Sequence, residues 1–95
     1  MREKQVEQAL VKAVKAKGGI CPKFVSPGLA GVPDRLVLMP NGKMGFVEVK
    51  APNKKLRALQ LYRMKQLTYL GYKCFVLDGV EQIPALIEKI GGDAR

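Results

Sequence analysis

The chain has no histidine and only two cysteines, and each shortage closes off a class of chemistry. Without histidine there is no imidazole general base and none of the usual zinc sites. Cys21 and Cys74 do not make a zinc-type cysteine pair, and both lie in apolar, strand-like stretches, so buried reduced thiols are the expected state. No apolar run is long enough to span a membrane. The opening residues Met1 to Gln5 lead straight into an amphipathic pattern without a signal-peptide core. Those two absences make the cytoplasm the expected location, with no membrane partner. Acidic residues are scarce too, 8 against 17 basic ones, and the resulting net charge of +9 suits contact with a nucleic-acid backbone. No repeat or low-complexity segment interrupts the chain, so residues 1–95 are expected to form one small domain with a modest core.

Periodicity lays out the elements. Val6, Leu10, Ala13 and Val14 form the apolar stripe of a helix from about Arg2 to Lys17, stopped by Gly18-Gly19, and Glu7 borders that stripe. The apolar stretch around Cys21 reads as a first strand. Arg35–Met39 and Gly45–Lys50 read as the next two, and Tyr72–Asp78 as a fourth. A second helix is expected over Lys55–Leu70 with Leu56, Leu59, Leu67 and Leu70 as its stripe and Gln60 and Arg63 within it. A last helix over Glu81–Ile90 carries Ile83, Leu86, Ile87 and Ile90, and tolerates Pro84 in its first turn. The order is α-β-β-β-α-β-α, an α/β fold. The helix between the third and fourth strands allows these to pair in parallel through a crossover, giving a mixed sheet.

The turn at Pro40-Asn41-Gly42 decides how two acidic residues meet. A two-residue Asn41-Gly42 loop would set Asp34 opposite Val49 and put Asp34 and Glu48 on different faces. Pro40 and Asn41 instead suit the two central positions of a type I turn, with Gly42 taking the left-handed conformation that follows. That three-residue loop pairs Met39 with Lys43 and brings Asp34 opposite Glu48, with Cβ atoms roughly 5 Å apart. Alternation then places Glu48 and Lys50 on one face, Val47 and Val49 on the other.

Two carboxylates and an ammonium so placed suit metal-dependent cleavage of a phosphodiester. Magnesium or manganese takes carboxylate oxygens and keeps several waters. A lysine beside them can orient the attacking water or stabilise the charged transition state. The basic residues Lys54, Lys55, Arg57, Arg63 and Lys65 follow directly and would draw a phosphate backbone to the same edge.

Glu7, the run Gly31-Val32-Pro33-Asp34, the run Glu48-Val49-Lys50-Ala51 and Gln60, in that order and spacing, resemble the virus-type replication-repair nuclease (VRR-NUC) domain of the PD-(D/E)xK superfamily. The resemblance covers nearly the whole chain and implies a restriction-endonuclease-like mixed sheet. It implies that Asp34, Glu48 and the Val49 carbonyl bind Mg²⁺ or Mn²⁺, that Lys50 assists the attacking water, and that Glu7 and Gln60 support the site. It also suggests kinship with dimeric Holliday junction resolvases. The expected activity is therefore a metal-dependent DNA endonuclease selective for branched DNA, working as a homodimer. A general or flap-type nuclease and a non-catalytic basic DNA-binding module are the alternatives.

Overall fold

A computed structural model describes residues 1–91. Helix α1 (Glu3–Ala16) opens with an acidic residue in its first turn, and the Arg2 amide donates to Gln5 Oε1 at 2.7 Å. Two strands follow, β1 (Arg35–Leu38) and β2 (Met44–Val49), then helix α2 (Ala58–Tyr69), strand β3 (Cys74–Leu77), a 3-10 turn and helix α3 (Ile83–Gly91). The sheet order is β1-β2-β3, antiparallel between the first two and parallel between the last two, with α2 as the crossover.

The strand expected around Cys21 is reduced to two isolated antiparallel bridges, Ile20 to Leu38 and Lys23 to Arg35. Pro22 accounts for the reduction. Its carbonyl accepts from the Leu36 amide at 3.0 Å, but it has no N–H to return the bond, so the ladder is broken at its centre. The segment still covers the outer edge of β1, since Leu38 and Ile20 exchange bonds and the Phe24 amide reaches the Asp34 carbonyl at 2.9 Å.

The hairpin has the register that the three-residue loop requires. Arg35 faces Val47, Leu38 faces Met44, and the Met39 amide donates to the Lys43 carbonyl at 2.8 Å. Gly42 lies at φ 74°, but Asn41 is left-handed as well, at φ 67° and ψ 26°, so the turn is not the type I turn expected. Asparagine is one of the few residues that takes this conformation at low cost, so the register survives the change of turn.

Alternation divides the sheet into two faces. Val37, Val47, Val49 and Leu77 point to one side, where Val6, Leu10 and Val14 of α1 and Ile83, Leu86, Ile87 and Ile90 of α3 complete the core. Phe46 points to the other side, between Phe24 and Tyr72, with ring centroids 5.8 Å away in each case. Glu48 and Lys50 share that second face, under α2. Helix α2 does not bury the stripe expected of it. Leu59 and Leu70 are exposed, and the buried residues are Gln60 and Met64. Polar contacts orient this helix. Gln60 is bonded to Glu48, and Arg63 Nε donates to the Ala30 carbonyl at 2.9 Å, which ties α2 to the loop before Asp34.

Gly31 makes that docking possible. It lies at φ 83°, and a Cβ there would stand 2.9 Å from the Leu59 carbonyl oxygen. Gly42 has a similar φ with open space around it. Gly42→Ala is therefore expected to cost about 1 kcal/mol and Gly31→Ala about 2 to 3 kcal/mol, because only the second adds a backbone collision to the conformational strain. Urea midpoints of the two variants check this, and equal midpoints would mean that α2 yields freely at Leu59.

Candidate active site

Continuing the observed register by one pair sets Asp34 opposite Glu48, and by two sets Pro33 opposite Val49. Arg35 and Val37 of β1, and Met39 just past it, turn their backbone groups toward β2 and the turn, so Pro33 is the next that should exchange bonds with β2. Proline has no N–H to offer the Val49 carbonyl, and the Val49 amide is taken by Asp34 Oδ1 at 3.0 Å. The strand pairing thus ends in a carboxylate rather than a ladder bond. The Val49 carbonyl shares the edge of the strand on which the Val49 amide meets Asp34.

Glu48 is a buried carboxylate, with 5 % of its surface exposed. Its Oε2 accepts from Gln60 Nε2 at 3.1 Å and lies 3.8 Å from Lys50 Nζ. Gln60 Oε1 in turn accepts from the amide of Arg57, the residue that caps α2, at 2.9 Å. One amide side chain thereby starts the helix and holds the acid. Burial pushes the Glu48 carboxyl up to about 7, and the Asp34 carboxylate pushes in the same direction; Lys50 and the Asp34 backbone amide act against them. Asp34 is raised as well, chiefly by burial and also by Glu7, while the hydrogen bond from Val49 opposes the rise. Each carboxylate thus stands in a place short of water and beside another negative charge.

The structure brings Asp34, Glu48, Lys50 and Gln60 to one end of the β1–β2 pair. Glu7 comes from the opposite side of the sheet and is held by Arg35, whose Nε donates to Glu7 Oε2 at 2.8 Å and whose Nη1 donates to the Cys21 carbonyl at 2.7 Å. It touches Asp34 through its field rather than by contact. Arg35 was not among the residues singled out from sequence, although alternation from Asp34 already turns it toward α1. Glu3, one turn before Glu7, also adds weakly to the field on both acids. Cys21 is a buried free thiol, raised to about 11 by burial above all, and it does not ionise at neutral pH.

The donors suit a hard divalent cation. Two carboxylates and a backbone carbonyl are oxygen ligands, and the two carboxyls, raised chiefly by burial and by neighbouring negative charge, form a pair that an added cation would relieve. Among the described residues no third Asp, Glu or Cys joins them in a metal-holding group.

Comparison with known proteins places the chain. The family model described as the VRR-NUC domain matches residues 1–81. The chain belongs to the VRR-NUC family. A relative named "Putative nuclease p44", from Acyrthosiphon pisum secondary endosymbiont phage 1, is 53 % identical over 78 residues, which is 82 % of this chain and 84 % of the relative. A solved VRR-NUC domain superposes with a TM-score of 0.83 at 33 % identity, covering 90 % of this chain and 94 % of that one. These findings support a nuclease. They also account for the mixed sheet, since this VRR-NUC domain and the solved one share their architecture.

The raised carboxyls have a consequence for stability. Between the ordinary carboxylate range and about 7 the folded protein holds more protons at Glu48 than the unfolded chain does, and Asp34, also raised, acts in the same direction above its ordinary range. Stability of the metal-free protein therefore falls as pH rises through that window, the reverse of the usual salt-bridged carboxylate. Melting temperatures between pH 5 and 8 should show the fall, and Glu48→Gln should flatten it. A fall of the same size in Glu48→Gln would place the responsible proton elsewhere.

Proposed function

We propose that this VRR-NUC domain is a metal-dependent endodeoxyribonuclease. The observation that carries the reading is the desolvated Asp34–Glu48 pair, with Lys50 on the same face and Gln60 holding Glu48 Oε2. In this reading Asp34, Glu48 and the Val49 carbonyl hold Mg²⁺ or Mn²⁺. When bound, such an ion neutralises charge on the scissile phosphate and lowers the pKa of water. Lys50, close to Glu48, orients the attacking water and stabilises charge on the phosphate as the bond breaks. Gln60 keeps Glu48 in one orientation while donating rather than accepting, so it adds no further negative charge. Glu7, fixed by Arg35, supports Asp34 from the α1 side.

Branched DNA is the proposed substrate and a homodimer the proposed working unit, acting in the cytoplasm. Ala58, Leu61, Tyr62 and Tyr69 fall on one side of α2, and the last three are 45 %, 59 % and 88 % exposed. Among the described residues neither α3 nor a loop covers them. A paired copy across this face would bury them and relate two sites by a two-fold axis, as two symmetric nicks in a four-way junction require. No helix among the described residues is long and apolar enough to cross a membrane.

Cleavage of matched linear, flap and four-way-junction DNAs, with Mg²⁺ or Mn²⁺ and then with chelator, tests both levels of the proposal. Asp34→Asn and Glu48→Gln are expected to lose on the order of 10³-fold in cleavage or more, the several kcal/mol that an ion contributes to the transition state. Lys50→Ala is expected to lose about 100-fold, with a smaller change in metal affinity measured by calorimetry. Full activity in Asp34→Asn would reject the site. Light scattering at micromolar concentration should report twice the chain mass. A monomer, or linear duplex cut as readily as a junction, would leave a general nuclease.

A further inference from the structure

Between α1 and the segment that bridges β1 lies a groove of about 580 Å³ whose walls are cationic. Lys4, Lys12 and Lys15 stand on one wall, and Lys23 and Arg35 on the other. The three α1 lysines share a face by helical spacing, opposite the stripe of Val6, Leu10 and Val14 that is wholly buried. Glu7 is the one acid in the lining, and its charge is already taken up by Arg35 at 2.8 Å. Among the described residues none of the four lysines has an ion-pair partner. Unlike the basic residues after β2, these line a concavity from both sides.

We propose that this groove seats the phosphate backbone of a double-helical DNA arm flanking the bond to be cut. The inference rests on the nuclease reading and adds where the substrate lies. Lys4 and Lys15 are eleven residues apart, about 16 Å along the helix axis. Over that length one strand of a duplex presents about five phosphates. Glu7 and Arg35 line the groove, and Arg35 directly follows Asp34, so a backbone seated along α1 lies on the α1 side of the same strand end that carries the carboxylates. No aromatic side chain lines the groove. It therefore offers charge without the stacking platforms that single strands use, which favours a duplex. Lysines on phosphates carry no sequence information, so the arm is held by its charge and shape alone.

The test compares binding of a labelled duplex by anisotropy, across a salt series, in the cleavage-silent Asp34→Asn background. Lys4→Gln/Lys12→Gln/Lys15→Gln should weaken binding by at least about 30-fold near 100 mM salt and flatten the slope of log K against log salt by about 2 to 3. Lys54→Gln/Lys55→Gln/Lys65→Gln removes the same charge from the α2 side and should do clearly less. Single-strand affinity should fall less than duplex affinity in the first variant. With Asp34 restored, the α1 variant should show a raised KM with kcat within about twofold of the parent, because the lost contacts hold the ground and transition states alike. Equal losses from the two triple variants, or an unchanged salt slope in the first, would overturn the groove. An unsubstituted protein that binds duplex through these lysines but cuts no DNA with either metal would overturn the nuclease reading and leave the groove standing.

Discussion

Everything at the candidate site depends on the register of the β1–β2 hairpin. A slip of one residue would turn every side chain of one strand to the other face. Asp34 would then leave Glu48 for the α1 side, and Arg35 would be driven into the space under α2. Three independent features pin the register. The turn fixes the count between Met39 and Lys43, Val37 and Val47 must both reach the core, and Asp34 Oδ1 captures the Val49 amide where Pro33 ends the ladder. A proline that would be a fault within a sheet is here the means of stopping it. Beyond it a carboxylate can join the strand end and a carbonyl is released from regular pairing.

The second constraint is electrostatic. A chain with more than twice as many basic as acidic residues would be expected to hold its acids in ion pairs at little cost. Here the two central carboxylates are instead kept from the surrounding cations, and Lys50 approaches Glu48 only to 3.8 Å. The protein therefore concentrates two desolvated, weakly paired carboxylates at one point of an otherwise positive body. In the proposed reading such a point would take a small divalent cation, while its basic surroundings would take a polyanion.

Much of this was legible in the residues because it is written in short-range chemistry. Turn preference yielded the hairpin count, alternation yielded the face shared by Glu48 and Lys50, and helical spacing yielded the buried stripe of α1. The handedness of Asn41 was not legible, since asparagine serves in either kind of turn. The first strand was overestimated because apolar content around Cys21 outweighed the missing N–H of Pro22. Helix α2 misled for a deeper reason. Leucines and tyrosines lie on nearly every side of it, so apolar spacing does not select a face, and its orientation is set by Gln60 and Arg63 reaching partners far away in sequence. Arg35 escaped notice for a similar reason, as its value lies in Glu7, 28 residues earlier.

Gln60 faces two demands at once, and they narrow what that position can be. As the third residue of a helix, receiving the Arg57 amide, it could be glutamate as readily as glutamine. Against Glu48 it could not, because a third carboxylate would have nothing to donate and would deepen the repulsion that Asp34 already exerts. Asparagine keeps the chemistry but is one methylene too short to span from the helix start to the sheet. Only a side chain that is an acceptor at one end and a donor at the other, at this length, joins a backbone amide to a buried acid. The amide group works as a polarity converter, tying the start of the helix to the buried acid.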